Sequence, residues 1–185
     1  MGDLAATTTP RGSSGAKVTS LAETGRVPRS DPDAERAVLA AVLLDGDRSE
    51  GVLARTSAVL AADDFYHPAH ALVFEAMLSL GARAEPIDII TLADELRRRE
   101  RLNTVGGPQF LGEITECMPT TAHCETHAQI VADHAFARRM RNATFELAAR
   151  ADTDTPEALL ELASKLYTSA SQTRGRAQLK SMTQV

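Results

Sequence analysis

Aromatic residues and lysine are scarce in this sequence of 185 residues. Aromatic side chains make up 4% of it, tryptophan is absent, and the only lysines are Lys17, Lys165 and Lys180. Apolar residues still make up 43% of the chain, and most of them are alanine and leucine, which favour helices over strands. The composition therefore predicts an all-α protein that is long enough to bury a core of its own.

Features that indicate several other classes of protein are also missing. No apolar run approaches the roughly 20 residues of a membrane-spanning helix, and residues 1–30 lack the apolar segment of a signal peptide. A nucleotide-binding P-loop needs a lysine directly after a glycine, and no lysine follows one here. Cys117 and Cys124 fit free thiols in a reducing compartment better than a disulfide framework. We therefore expect a cytoplasmic protein that is not a P-loop nucleotide triphosphatase.

The net charge of −5 is unevenly distributed along the chain. Residues 1–30 and 174–185 are basic, with net charges of +2 and +3, whereas the residues between them carry a net charge of −10. An acidic folded segment disfavours direct binding to the phosphate backbone of nucleic acids. Only the two basic ends support the alternative of a nucleic-acid-binding adaptor.

Residues 63–111 show the clearest succession of helices and breaks. Pro68 predicts the start of one helix, and Gly81 is expected to end it in a left-handed conformation. Asp88 is expected to cap the next helix, and Gly106 marks a further break.

The residues before this stretch begin with another strong start signal. Asp31 followed by Pro32 predicts a helix that is apolar on nearly all sides, and therefore central and buried. Gly46 is expected to end this helix, and Ser49 is expected to cap a second one.

The residues after about His123 predict a helical hairpin. Residues 123–151 form one long helical pattern, and Thr155-Pro156 predicts the start of a second long helix. Each helix carries an apolar stripe, so we expect the two to pack antiparallel. A lone hairpin buries little surface, so we expect it to pack on a second copy or on the head. The predicted self-association residues are Phe136, Met140, Leu147, Leu159, Leu162 and Leu166.

Together these patterns divide the chain into four segments. Residues 1–29 predict a disordered leader, residues 30–120 a small helical head of about five to six helices, and residues 121–173 the hairpin. Residues 174–185 begin a helical spacing that has no end, which suggests that the sequence is cut from a longer one.

Cys117, His123, Cys124 and His127 suggest a metal site at the start of the long helix. His127 is one helical turn from both His123 and Cys124. The spacing matches no standard zinc pattern, so ordinary packing is the favoured interpretation. A small metal-binding enzyme remains the alternative from another class.

His67 and His70 lie near Asp63 and Asp64, which raises the possibility of acid–base chemistry. No motif supplies a nucleophile or an oxyanion donor. The favoured interpretation is a helix start with a capping aspartate, and we expect no catalytic or cofactor-binding residues.

Arginines cluster at residues 97–101 and 138–141. The first cluster follows a helix, where cations interact favourably with the helix dipole. Solvent exposure is the favoured interpretation for both clusters, and contact with an acidic partner is the functional alternative.

Several short motifs follow one another along residues 28–172. They are DPDAERAVLAAVLLD, the DFY of residues 64–66, EPIDIITLADEL, RLNTVGGPQFL and AQIVADHAFARRM. In this order and at these intervals they resemble the N-terminal domain of bacterial DnaB-type replicative DNA helicases. His123 and His127 depart from the family, which often has Asn and Tyr there, so the entrance to the hairpin and its partners can differ.

The resemblance implies a helical head and a hairpin that pairs with other copies into a collar above a hexameric motor ring. It also implies docking of the primase C-terminal domain, contact with helicase loaders, only indirect contact with DNA, and a place in the nucleoid-associated replication machinery. The motor would be a separate domain reached through a linker, of which LKSMTQV looks like the start. We therefore expect no ATPase or unwinding activity here. A free-standing regulator of the helicase or primase is the alternative.

Overall fold

The structure, a computed structural model, describes residues 28–46, 51–116 and 120–181, with side chains up to residue 171. All regular secondary structure in these ranges is helical, which confirms the predicted all-α class. Most of the predicted leader, Ser49, Cys117 and the last four residues lie outside the described ranges. The helices are α1 (Pro32–Asp45), α2 (Val52–Ser57), a short 3-10 helix (Ala62–Asp64), α3 (Pro68–Ala82), α4 (Ile89–Arg98), α5 (Leu102–Val105), α6 (Gly107–Glu116), α7 (Cys124–Arg150) and α8 (Pro156–Ser181).

Helix α1 forms the centre of the head, as the sequence predicts. The Asp31 carboxylate accepts a hydrogen bond from the Ala34 amide at 2.9 Å, and Pro32 occupies the first position of the helix. Every residue from Ala37 to Val42 is buried. Because α1 contacts α2, α3, α6 and α7, it supplies the surface on which the other helices of the head pack.

The connection from α1 to α2 differs in part from the prediction. Gly46 ends α1 as expected, with a φ of 64° that favours glycine. Ser49 lies outside the described residues, and the residue at the N-cap position of α2 is Gly51, two positions later than predicted. The Val52 amide donates instead to the Asp45 carboxylate at 2.7 Å, so a side chain from the end of α1 satisfies the start of α2.

Gly81 does not end α3, and this prediction is wrong. The helix continues to Ala82, and Ala84 adopts the left-handed conformation, with a φ of 53°. Gly81 serves packing instead, because a Cβ at this position would lie 2.6 Å from Cδ2 of Leu53 in α2. The missing side chain lets α3 approach α2 closely.

Asp88 caps α4 as predicted. Its carboxylate accepts hydrogen bonds from the amides of Ile90 and Thr91, each at 2.8 Å, and the Thr91 hydroxyl accepts from the Asp88 amide at 3.0 Å. The hydrogen bond from the Thr91 amide holds the pKa of the Asp88 carboxyl below its usual value. Gly106, with a φ of 106°, separates α5 from α6 and confirms the predicted break.

Helices α7 and α8 pack against each other as a hairpin and confirm the two predicted long helices. Among the described residues no helix has the length and apolar character needed to cross a membrane. In α8, the residues of the predicted stripe are less exposed than the residues between them. The stripe consists of Leu159, Leu162, Ala163, Leu166 and Ala170.

Helix α7 carries a second buried stripe that the sequence pattern did not predict. Cys124, Ala128, Val131 and Ala135 are all buried and face the head. The first half of α7 therefore belongs to the packing of the head, whereas its second half packs on α8. The predicted boundary between head and hairpin at residues 120–121 stays a prediction.

The cap of α4 gives a direct test of this local reasoning. Asp88→Ala removes the acceptor for two amides, so we expect the free energy of unfolding to fall by about 1 kcal/mol. Asp88→Asn keeps an acceptor and should lose less. Urea denaturation followed by far-UV circular dichroism measures both, with Asp152→Ala in the exposed hairpin loop as the control. An equal loss for Asp152→Ala would contradict the capping role.

Candidate functional site

Glu35 is a buried carboxylate on α1, and it forms hydrogen bonds with two of the residues that suggested acid–base chemistry, His67 and His70. It accepts hydrogen bonds from the amides of Tyr66 and His67 at 2.7 and 3.2 Å. Its Oε2 atom also lies 2.8 Å from Nδ1 of His70, and the two side chains are only 2% and 3% exposed. Sequence reasoning missed Glu35, because Asp33 and Arg36 are also charged residues at the start of α1 and nothing in the spacing distinguishes Glu35 from them.

The electrostatics of this group indicate a structural role. Burial raises the pKa of Glu35, but the hydrogen bonds from His70 and from the Tyr66 and His67 amides together lower it by more. The pKa of Glu35 therefore lies below its usual value. The His70 ring stacks on Phe110 with centroids 5.8 Å apart. Both oxygen atoms of the carboxylate are engaged in hydrogen bonds that hold the turn at residues 64–67 and the start of α3 against α1. This geometry favours a structural role over catalysis.

Asp63 and Asp64 have different environments. Asp64 is fully buried, and its carboxylate accepts a hydrogen bond from the Ala61 amide at 2.8 Å and pairs with Arg139 of α7. Asp63 is exposed at the edge of a cavity between the turn and α7. Asp64 therefore ties the head to the long helix, a role that sequence spacing did not indicate.

The three residues of the suggested metal site that the structure describes do not form a cluster that could hold a metal ion. Cys124 is buried in the core, and burial raises the pKa of its thiol, which disfavours a metal-binding thiolate. His127 lines a cavity beside Asp31 at the start of α1, and His123 is exposed. Cys117 lies outside the described residues. Within the described part of the chain, no group of three or more His, Cys, Asp or Glu side chains could hold a metal ion.

The six predicted self-association residues lie along the hairpin and are all half-buried. Near the hairpin loop, side chains of α7 and α8 line an open, almost wholly apolar groove of about 710 Å³. Leu147 and Leu159 line this groove together with Leu160 and Ala163. Phe136, Met140, Leu162 and Leu166 are not among its lining residues. The structure thus brings two of the six predicted residues together at the groove.

The most exposed apolar side chains of the hairpin were missed. Leu160 is 72% exposed, Tyr167 is 64% exposed and Phe145 is 39% exposed. Leu160 and Tyr167 are seven residues apart on α8, so they lie on one face, beside the predicted stripe. The seven-residue spacing of Leu160 and Tyr167 could have indicated this face. The prediction followed the longer apolar stripe of α8 instead, whose residues are half-buried or buried in the hairpin.

The Glu35 network predicts a specific dependence of stability on pH. Because the folded-state pKa lies below the ordinary value of 4.5, the stability that Glu35 contributes is fully present above that pH and is lost as the pH falls below it. Glu35→Gln should lower the free energy of unfolding at neutral pH by about 2 kcal/mol, because the backbone amides of Tyr66 and His67 and the ring of His70 lose their charged acceptor.

The difference between the wild type and Glu35→Gln should then shrink on acidification. Urea denaturation at neutral and acidic pH measures it, with exposed Glu116→Gln as the control. A difference that stays constant with pH would contradict a carboxylate held in its charged form.

Comparison with known proteins agrees with this architecture. Residues 27–133 match the family model of the DnaB-like helicase N-terminal domain. The replicative DNA helicase DnaB of Geobacillus stearothermophilus is 40% identical over 120 residues, which are 64% of this chain and 26% of that protein. The replicative DNA helicase DnaB of Mycobacterium leprae is 42% identical over 116 residues, or 63% of this chain and 18% of that protein. The matched part is thus about a quarter or less of either relative's length.

A solved structure matches the fold as well as the sequence. The crystal structure of the N-terminal domain of DnaB helicase from Mycobacterium tuberculosis superposes with a TM-score of 0.71 at 31% identity. The match covers 78% of this chain and 99% of that one. Together with the family model, which spans more than half of the chain, it leads to one conclusion: the chain belongs to the DnaB-like helicase N-terminal domain family.

Proposed function

We propose that this chain acts as the collar domain of a replicative DNA helicase. In this role it associates with further copies through its hairpin and docks the primase C-terminal domain and helicase-loading factors. It contacts DNA only indirectly and has no ATPase or unwinding activity of its own. The observation that carries the proposal is the uncovered apolar surface of the hairpin, where Leu160 lines the groove and Tyr167 is exposed seven residues further along α8.

Physical reasoning supports a second copy as the cover for this surface. Two helices can bury only the faces that they turn toward each other, so an isolated hairpin leaves apolar side chains in water. Covering them contributes about 25 cal/mol for each Å² of apolar area removed from water. A pair related by a two-fold axis would place the same surface of both chains at one interface and complete a four-helix arrangement.

Association through the hairpin would also strengthen docking by the head. Once several heads are held together, a partner that binds one of them meets the others at a high effective concentration. The head offers an apolar contact at the start of α4, where Ile90 is 80% exposed and Ile89 is 37% exposed. We assign this pair to primase docking, away from the hairpin groove.

Replacing Leu160 tests self-association without disturbing the core. Leu160→Asp places a charge where the second copy would bury it, and burial of an unpaired charge is strongly unfavourable. The particle mass should fall from a multiple of the chain to that of a single chain, 19.8 kDa. Light scattering measures the mass, and far-UV circular dichroism checks the helix content.

Ile90→Asp on the head is the matched control and should keep the larger mass. Met140→Asp and Leu162→Asp should also disperse the oligomer if the half-buried stripe contributes. An unchanged mass for all three hairpin variants would show that the hairpin is not the self-association surface.

Primase docking is tested with the same pair of variants. Ile90→Asp should weaken capture of a primase C-terminal domain by at least tenfold, which corresponds to about 1.4 kcal/mol. Leu160→Asp should bind primase at the same site on each head but lose the gain from several linked heads. Biolayer interferometry with immobilised primase domain separates these effects. Unchanged binding by Ile90→Asp would exclude this part of α4 as the docking surface.

A further inference from the structure

The four arginines at the end of α4 are a place where the sequence left contact with an acidic partner open. Arg97 pairs with Asp94 at 3.2 Å, so its charge is compensated within α4. Arg98 and Arg99 both pair with Glu95, whose side chain is only 4% exposed. Three of the four arginines are therefore committed to carboxylates of the chain itself.

Arg101, the fourth arginine, has a different environment. Its side chain is exposed, and within the part of the chain that the structure describes no carboxylate lies within ion-pair distance of its guanidinium. Its side chain also forms no hydrogen bond with any of these residues. Because an arginine side chain stays protonated at physiological pH, Arg101 carries a positive charge that the described fold does not compensate.

Arg101 borders a cavity of about 350 Å³ between α3 and the end of α4. Leu72 and Leu96 supply the apolar part of the lining, and Glu75 and Arg99 complete it. Arg99 donates a hydrogen bond to the Glu75 carboxylate at 2.9 Å, so these two charges compensate each other. The cavity is thus large enough for a side chain, partly apolar, and bordered by the uncompensated charge of Arg101.

The turn after α4 brings Arg101 to this cavity. Glu100 adopts the left-handed conformation, with a φ of 57°, and the Arg101 amide donates to the Leu96 carbonyl oxygen at 2.8 Å. This pattern ends a helix and reverses the direction of the chain, so Arg101 lies beside the last turn of α4. Because its backbone is already held, only the side chain of Arg101 must become ordered when a ligand binds.

We propose that this cavity binds a glutamate side chain of a partner protein, whose carboxylate pairs with Arg101 while its methylene groups pack on Leu72 and Leu96. The planar guanidinium of arginine can donate two parallel hydrogen bonds to one carboxylate. The apolar lining favours a carboxylate on an aliphatic stem over a small free anion, because only the stem removes apolar surface from water.

The surroundings favour a peptide over a nucleic acid. A phosphate backbone brings a row of negative charges and rewards a track of uncompensated cations. In the lining of this cavity Arg101 offers one such cation, and Glu75 lies beside it. A single carboxylate can pair with Arg101, whereas neighbouring phosphates would meet acidic side chains. The cavity lies at the opposite end of α4 from Ile90 and apart from the hairpin, so this binding requires neither self-association nor primase docking.

The test is a titration of the full chain, followed by NMR of the leucine methyl groups. The probe is a blocked peptide Ala-Leu-Glu-Leu-Ala, compared with its amide counterpart Ala-Leu-Gln-Leu-Ala and with oligothymidine. We expect saturable shifts of the Leu72 and Leu96 methyl resonances with the glutamate peptide alone. Arg101→Gln should weaken binding about tenfold, the loss expected for one charge-assisted hydrogen bond. Arg101→Lys keeps the charge and should lose less, and Arg97→Gln, the matched control on α4, should leave binding unchanged.

Several results would overturn the proposal. Equal binding of the amide peptide would show that the carboxylate is not recognised, and tighter binding of oligothymidine would make the site a nucleic-acid contact. Shifts confined to leucines of the hairpin would place the binding in the groove. Because the Arg101 side chain is exposed, Arg101→Gln should keep the helix content, which far-UV circular dichroism checks. Unchanged affinity in that variant, or an equal loss in Arg97→Gln, excludes the cavity.

Discussion

The head depends on one buried carboxylate that lies far in sequence from its partners. Glu35 on α1 accepts hydrogen bonds from the amides of Tyr66 and His67 and from the ring of His70. These groups belong to the turn that leads into α3, so a single side chain fixes the start of α3 against the central helix. Because the His70 ring is buried with Glu35, a replacement without a carboxylate deprives that ring of its charged partner.

A second buried carboxylate extends this arrangement to the hairpin. Asp64 belongs to the same turn and pairs with Arg139, while Arg138 donates to the backbone carbonyl of Asp64. The turn therefore binds α1 on one side and α7 on the other. Since α7 continues without interruption into the hairpin, the direction of the hairpin is set where α7 crosses the head. The head and the hairpin are thus joined by polar contacts within a few residues of one another.

The apolar residues of helix α7 form two groups that pack against different parts of the structure. Cys124, Ala128 and Val131 face the head, whereas Ala143 and Leu147 lie on the half that packs with α8. The small residues of the first stripe allow α1 and α7 to approach closely. Among the described residues, the second half packs on α8, and apolar side chains on the other faces of α8 remain exposed. The surface proposed for self-association follows directly from this uneven coverage.

The sequence by itself determined the starts of α1 and α4, because a cap needs only residues three positions apart, as at Asp31 and Asp88. It also identified the family through the order of its motifs. Only the tertiary structure decided the roles of Gly81, Glu35 and the pair Asp64 and Arg139. Each depends on a partner between 28 and 75 positions away in the chain. Local periodicity carries no information about such distances, whereas packing of the helices brings the partners into contact.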